Sequence, residues 1–156
     1  MNKIKIEQNI VINRPSGEIF AYLSALENLA DWSGATIAVK NISQEVMHVG
    51  ATAQSTIRFL GRRFDITLEV VECEPYRSLT IKSISGVAPC LFCYQFEAIE
   101  DNRTNVSQEV VIHLTEGVLE HTTPVIEGAT RRQLEYDLLT LKDILEGKAS
   151  SYRSAD

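Results

Sequence analysis

The chain has few of the features that usually announce a chemistry. It has three cysteines, Cys73, Cys90 and Cys93, among 156 residues. An odd and small count does not make a disulfide framework. No basic run is longer than two residues (Arg62-Arg63, Arg131-Arg132), and the formal net charge is −6. Phosphate backbones require a concentrated positive field, so a nucleic-acid partner is not expected. No apolar run approaches the roughly 18 residues that cross a bilayer as a helix. The opening MNKIKIEQNIVIN alternates charged and apolar residues, so it reads as a strand and not as a signal peptide. These features together point to a reducing cytoplasm. No internal repeat, low-complexity tract or linker interrupts the chain. Neither GxSxG nor HExxH occurs near His48, His113 or His121, which fall on different expected elements and read as surface groups.

What is present is periodicity. Leu134, Leu138, Leu141 and Leu145 recur at steps of four, three and four, which makes one stripe of an α-helix spanning about 122–146. Two starts fit that helix. Thr123 could cap it with Pro124 in the first turn, or it begins near Val118 and bends at Pro124. Upstream the period is two. Ile4, Ile6, Ile10 and Ile12 share one face of a strand over 3–13, interrupted by Gln8. Pro15 stops that strand and suits the first turn of a short helix over 16–24. A second helical turn follows over Leu26–Ala30. Further strands are expected over 35–42, Val49–Phe59 and 64–70, around Leu79 and Ile81, over 89–99 and through Val106–Leu114. Gly61-Arg62, Ser85-Gly86 and 100–103 supply short turns, and Gly117 ends the last strand. Short turns between strands imply an antiparallel sheet. The count is strand, two short helices, six strands and one long helix. The domain is expected to span 1–147, with 148–156 a flexible polar tail.

An amphipathic helix that follows a sheet must lay its apolar face on it. This order resembles the helix-grip fold of the START-like (SRPBCC) superfamily, and the local patterns resemble its polyketide cyclase/dehydrase and lipid-transport branch. The residues that carry the resemblance are Ile12-Asn-Arg-Pro15 leading into Ile19-Phe20-Ala-Tyr-Leu23, Leu29-Ala-Asp-Trp32, Val49-Gly50, Glu69-Val-Val-Glu72 before Glu74-Pro75, and the segment 137–146. It implies an α+β fold in which a curved seven-stranded antiparallel sheet wraps the long C-terminal helix, with two short helices between strands 1 and 2. It also implies a cavity between sheet and helix and no cofactor.

Several constellations bear on what such a cavity does. Cys90-Leu-Phe-Cys93 has CxxC spacing, but side chains three apart on a strand point to opposite faces. No second pair completes a metal site. Gln8 and Gln108 each sit at the centre of an otherwise apolar strand face. In the helix-grip topology the first and last strands are neighbours. The two amides then either meet a polar ligand or water, satisfy one another, or turn outward at a bulge. Unpaired and buried, each would cost about 1–3 kcal/mol. Trp32, Phe59, Phe64, Tyr94 and Phe96 are aromatic candidates for the cavity wall, though inner-face aromatics are most often plain core. Trp32 stands out because it lies in the loop where the resemblance places a wall or mouth. The segment Ile126-Glu127-Gly128-Ala129-Thr130 is small and mixed, so the first half of the helix is expected to stand off the sheet. The Leu134–Leu145 half is expected to seal the core. Glu127 is either an exposed group favoured by the helix dipole or a buried acid.

The expected function is to bind one hydrophobic or amphipathic small molecule, such as a lipid, isoprenoid or polyketide-like compound. The expected ligand-contacting residues are Gln8, Trp32, Phe59, Phe64, Tyr94, Phe96, Gln108, Ile126 and Thr130. Catalytic residues and metal ligands are not expected, because no inward ionisable pair is evident. Two alternatives are a polyketide aromatase/cyclase or dehydratase and a regulatory protein-interaction module.

Overall fold

The computed structural model describes residues 2–43, 48–59, 61–84, 89–114 and 123–147, apart from the side chains of Asn2 and Phe59. The turn at Ser85-Gly86, Gly117, His121 and the tail 148–156 therefore lie outside the described residues.

Seven strands form one antiparallel sheet in the order β1-β7-β6-β5-β4-β3-β2. β1 is Asn2–Ile12 and β2 is Thr36–Lys40. β3 is Thr52–Phe59 and β4 is Arg62–Glu74. β5 is Ser78–Ser83, β6 is Cys90–Glu100 and β7 is Arg103–Leu114. Between β1 and β2 lie α1 (Ser16–Ser24), one 3₁₀ turn (Leu26–Asn28) and the short α2 (Leu29–Trp32). The long helix α3 is Thr123–Leu145, with Pro124 in its first turn. This is the helix-grip architecture that the resemblance implies.

Alternation explains the strands. Ile4, Ile6 and Ile12 on β1 and Val106, Val110, Ile112 and Leu114 on β7 are all buried. β1 and β7 pair in strict register, with Ile6 opposite Val110 and Gln8 opposite Gln108. β4 runs four residues beyond the expected segment because a register shift between Val70 and Glu72 resets its phase. Val70 and Cys73 then both reach the inner side while Glu72 turns outward, which an unbroken alternation would not give. Gly61 has φ of 77° in the β3–β4 turn, a conformation that side chains with a Cβ resist. Pro15 is placed one position earlier than expected. It precedes α1 in an extended conformation (φ −64°, ψ 149°) instead of occupying the first turn. Its missing N–H costs nothing there either.

Two apolar clusters fasten α3 to the sheet. Leu138 and Leu141 join α1, Trp32 and the middle of the sheet in the larger one. Ile126 joins Ile4, Ile6, Val110, Ile112 and Leu114 in the smaller. The C-terminal end of the helix is also tied by polar bonds. Lys142 Nζ donates to Val11 O at 2.6 Å and to Glu146 Oε2 at 2.8 Å. That carboxylate accepts from the backbone N–H of Asn13 at 2.8 Å. The helix is thus anchored at both ends, and the space lies between the anchors.

Candidate binding cavity

A cavity of about 360 Å³ opens between the inner face of the sheet and the first half of α3. Its floor comes from alternate residues of β4 to β7, among them Phe64, Ile66, Ile81, Phe92 and Val110. Its roof is one face of α3, at Ile126, Thr130, Gln133, Leu134 and Asp137. Its end wall is Trp32, whose ring meets Tyr94 edge to face at 6.2 Å. The mouth lies where Gly34, Arg58 and Gln133, all exposed, come to its rim. The void exists because short side chains stand where long ones would fill it. Ser55 and Ser83 do this on the sheet, and Ala129 and Thr130 on the helix. The boundary between the open and sealed halves of α3 falls one turn later than expected. Leu134 lines the cavity, and sealing begins at Leu138.

Of the residues singled out in the sequence, Trp32, Phe64, Tyr94, Gln108, Ile126 and Thr130 come together around this space. Phe96 does not. It is buried beyond the cavity, edge-on to Phe20 at 6.0 Å, because Phe20 of α1 covers that end of the inner face. Gln8 is half-buried and does not line the cavity either. The side chain of Phe59 lies outside the described residues. Glu127 is half-buried beside Arg131, 3.9 Å from its guanidinium, and does not line the cavity. His48 and His113 are exposed. Cys90 faces the cavity, whereas Cys93 pairs across the sheet with Glu109, so the CxxC spacing does place its thiols on opposite faces. Burial pushes the Cys90 thiol up to about 11, which keeps it protonated and unreactive.

The two amides satisfy one another and pass the bond on. Gln8 Nε2 donates to Gln108 Oε1 at 2.7 Å, and Gln108 Nε2 donates to the Tyr94 hydroxyl oxygen at 3.3 Å. The run has a direction. Each group accepts from the one before it, so the Tyr94 O–H is left to donate into the cavity. Burial raises the pKa of the Tyr94 phenol, against the lowering effect of the Gln108 bond. At neutral pH it is therefore a donor.

The sequence reading missed Asp137. It is 2% exposed and lines the cavity, which corrects the expectation that no ionisable pair faces inward. Its carboxylate is near enough to Tyr94 to raise that phenol's pKa further. Asp137 Oδ1 accepts from the backbone N–H of Gly34 at 3.0 Å and from Gln133 Nε2 at 2.8 Å. A Cβ at Gly34 would lie 2.2 Å from Gln133 Nε2, so a larger residue there would push the flexible Gln133 side chain out of this clasp. The signal for Asp137 was available. Steps of four, three and four from Ile126 reach Thr130, Gln133 and Asp137, one face of the helix. The neighbouring leucine stripe masks it.

Burial raises the Asp137 pKa above its ordinary 3.8, against the two hydrogen bonds that favour the anion. A carboxyl whose folded pKa is raised contributes stability below its ordinary pKa and loses it as pH rises through the folded value. Asp137→Asn keeps an acceptor oxygen and does not titrate. The stability of this variant relative to the parent is therefore expected to rise as pH climbs past the ordinary value of 3.8 and then level off. Urea unfolding of both proteins across the acid range checks this, and a difference independent of pH would refute it.

The fold and the enclosed, mostly apolar cavity define a START-like helix-grip protein with a ligand-sized internal space. The model of the family "Polyketide cyclase / dehydrase and lipid transport" matches residues 3–146, and the chain belongs to that family. Solved structures are similar along nearly the full length of both chains. The aromatase/cyclase Zhui from Streptomyces sp. R1128 superposes with a TM-score of 0.79 at 13% identity, covering 95% of this chain and 96% of that one. A START superfamily protein from Mycobacterium smegmatis gives 0.76 at 10% identity, covering 92% and 97%. A conserved protein from Geobacillus kaustophilus gives 0.75 at 10%, covering 92% and 96%. Identities this low carry the fold alone. No curated protein sequence matches the chain significantly.

Proposed function

We propose that this protein binds one apolar or amphipathic small molecule in the cavity between sheet and α3 and acts as a carrier or receptor for it. The observation that carries this reading is the cavity itself. At about 360 Å³ it is more than twice the ~150 Å³ void that suffices to hold benzene. It lies in the range of ~300–1,000 Å³ typical of ligand pockets. Affinity would come from apolar burial at about 25 cal/mol per Å², with Tyr94, Thr130 and Asp137 fixing orientation. Gln8 and Gln108 support Tyr94 from behind. The three cysteines, none of them in a disulfide, suit a cytoplasmic setting.

One observation favours a second reading, an aromatase/cyclase or dehydratase acting on a polyketide-like substrate. Asp137 and Tyr94 face the same space, and both hold their protons more tightly than usual. Such groups can serve as general acids if a substrate atom sits within hydrogen-bond reach. Thermal-shift screening against lipids, quinones and aromatic polyketides tests both readings. A rise in Tm with one class and no product supports the carrier, and turnover supports the enzyme. No rise with any class would contradict both.

A further inference from the structure

We infer that the ligand carries a hydroxyl group, set between Asp137 and Tyr94 at the Trp32 end of the cavity. This rests on the reading that the cavity is the binding site, and it adds the chemistry that the ligand must bring. Two groups carry the argument. Asp137 is buried, and both of its hydrogen bonds arrive at Oδ1. Oδ2 receives neither, so it is an acceptor without a partner among the described residues. Tyr94 is 4% exposed, and its oxygen already accepts from Gln108. Its proton is therefore the free end of the Gln8–Gln108–Tyr94 run. The Trp32 indole N–H also lacks a partner among the described residues, but the nitrogen has no surface open to the cavity and takes no part.

The end of the cavity thus presents one acceptor and one donor. A hydroxyl has the matching set, one proton to give and two lone pairs to receive. A carbonyl offers only lone pairs and leaves Asp137 facing it without a proton between them. An ammonium offers only protons and leaves the Tyr94 O–H unmet. A pure hydrocarbon meets neither. Sites built to bond a ligand hydroxyl reject analogues that lack it, because their own buried polar groups are then left unpaired. The apolar frame attached to the hydroxyl would lie away from Asp137, over Ile66, Phe92 and Ile126.

The test is isothermal titration of the purified protein with four probes on one frame: 2-naphthol, naphthalene, 2-acetylnaphthalene and 2-naphthylmethylamine. The expected result is that 2-naphthol binds at least tenfold more tightly than each of the others. In Asp137→Leu and in Tyr94→Phe, the ratio of 2-naphthol to naphthalene affinity should fall toward one. Tyr94→Phe guards against the chance that Asp137→Leu does not fold, since it removes a single oxygen. Tightest binding by the acetyl compound would take Asp137 out of the contact and overturn the inference. Tightest binding by the amine would replace it with an ion pair. Equal binding of 2-naphthol and naphthalene, or a preference that survives both substitutions, would overturn it while leaving the cavity as the site. Failure of all four to bind would remove the cavity reading and this inference with it.

Discussion

Replacing Thr130 by phenylalanine is expected to weaken ligand binding at least a hundredfold, about 2.7 kcal/mol, and to leave the fold intact. Thr130 is half-buried on the roof of the cavity, one helical turn from Ile126 and two from Asp137. A phenyl ring at that position enters the space the ligand would occupy. It has room to do so, because the void is open along this stretch of α3. The two residues have similar helix propensity, so the backbone has little reason to respond. Filling a void also restores dispersion contacts that its lining lacked. The Tm is therefore expected to hold or rise. Displacement of an environment-sensitive apolar dye measures the binding, and a thermal melt measures the fold. Undiminished binding in a folded variant would place the site elsewhere.

Leu141→Ala is expected to do the reverse. Leu141 is fully buried and packs in the larger apolar cluster, away from the cavity lining. Truncating a buried leucine removes its transfer free energy and leaves a hole, at about 2–5 kcal/mol. That is a large share of the roughly 5–15 kcal/mol that holds a typical domain together. Urea unfolding would show the loss, and binding by the folded fraction should stay close to that of the parent. The pair of substitutions divides α3 by function. One half holds the helix to the sheet, and the other stands clear of it. A loss of less than about 1 kcal/mol at Leu141 would mean that the sealed half is not packed as described.

The fold was legible because it depends on repetition. Period-two runs such as Ile4-Ile6 and Val106-Val110-Ile112, followed by one leucine stripe, give the elements and an antiparallel sheet once the turns are short, and the family resemblance supplies their arrangement. The Gln8–Gln108 contact was also within reach, since one polar residue at the middle of each of two neighbouring apolar faces suggests a pair. What escaped were features set by tertiary geometry. Whether Phe64 or Phe96 lines a void depends on what covers each end of the sheet. α1 brings Phe20 onto Phe96, and nothing local in the strand predicts that. Asp137 escaped for a different reason. An acid beside a run of leucines looks like the solvated edge of a helix, and only the stand-off of α3 turns that edge inward. The phase reset in β4 had no local marker, because the Val70-Val71-Glu72 run carries no glycine or proline.

The most direct test of the central claim is a two-dimensional amide NMR titration with the compound that gives the largest thermal stabilisation. If the ligand enters between sheet and helix, the largest shifts will fall on Gly34, Ser55, Tyr94, Gln108 and Thr130, which surround that space from five separate segments. If they fall instead on the exposed face of α3, around Val125, Tyr136 and Leu139, with the cavity residues unmoved, the account of this protein as an internal binder is wrong.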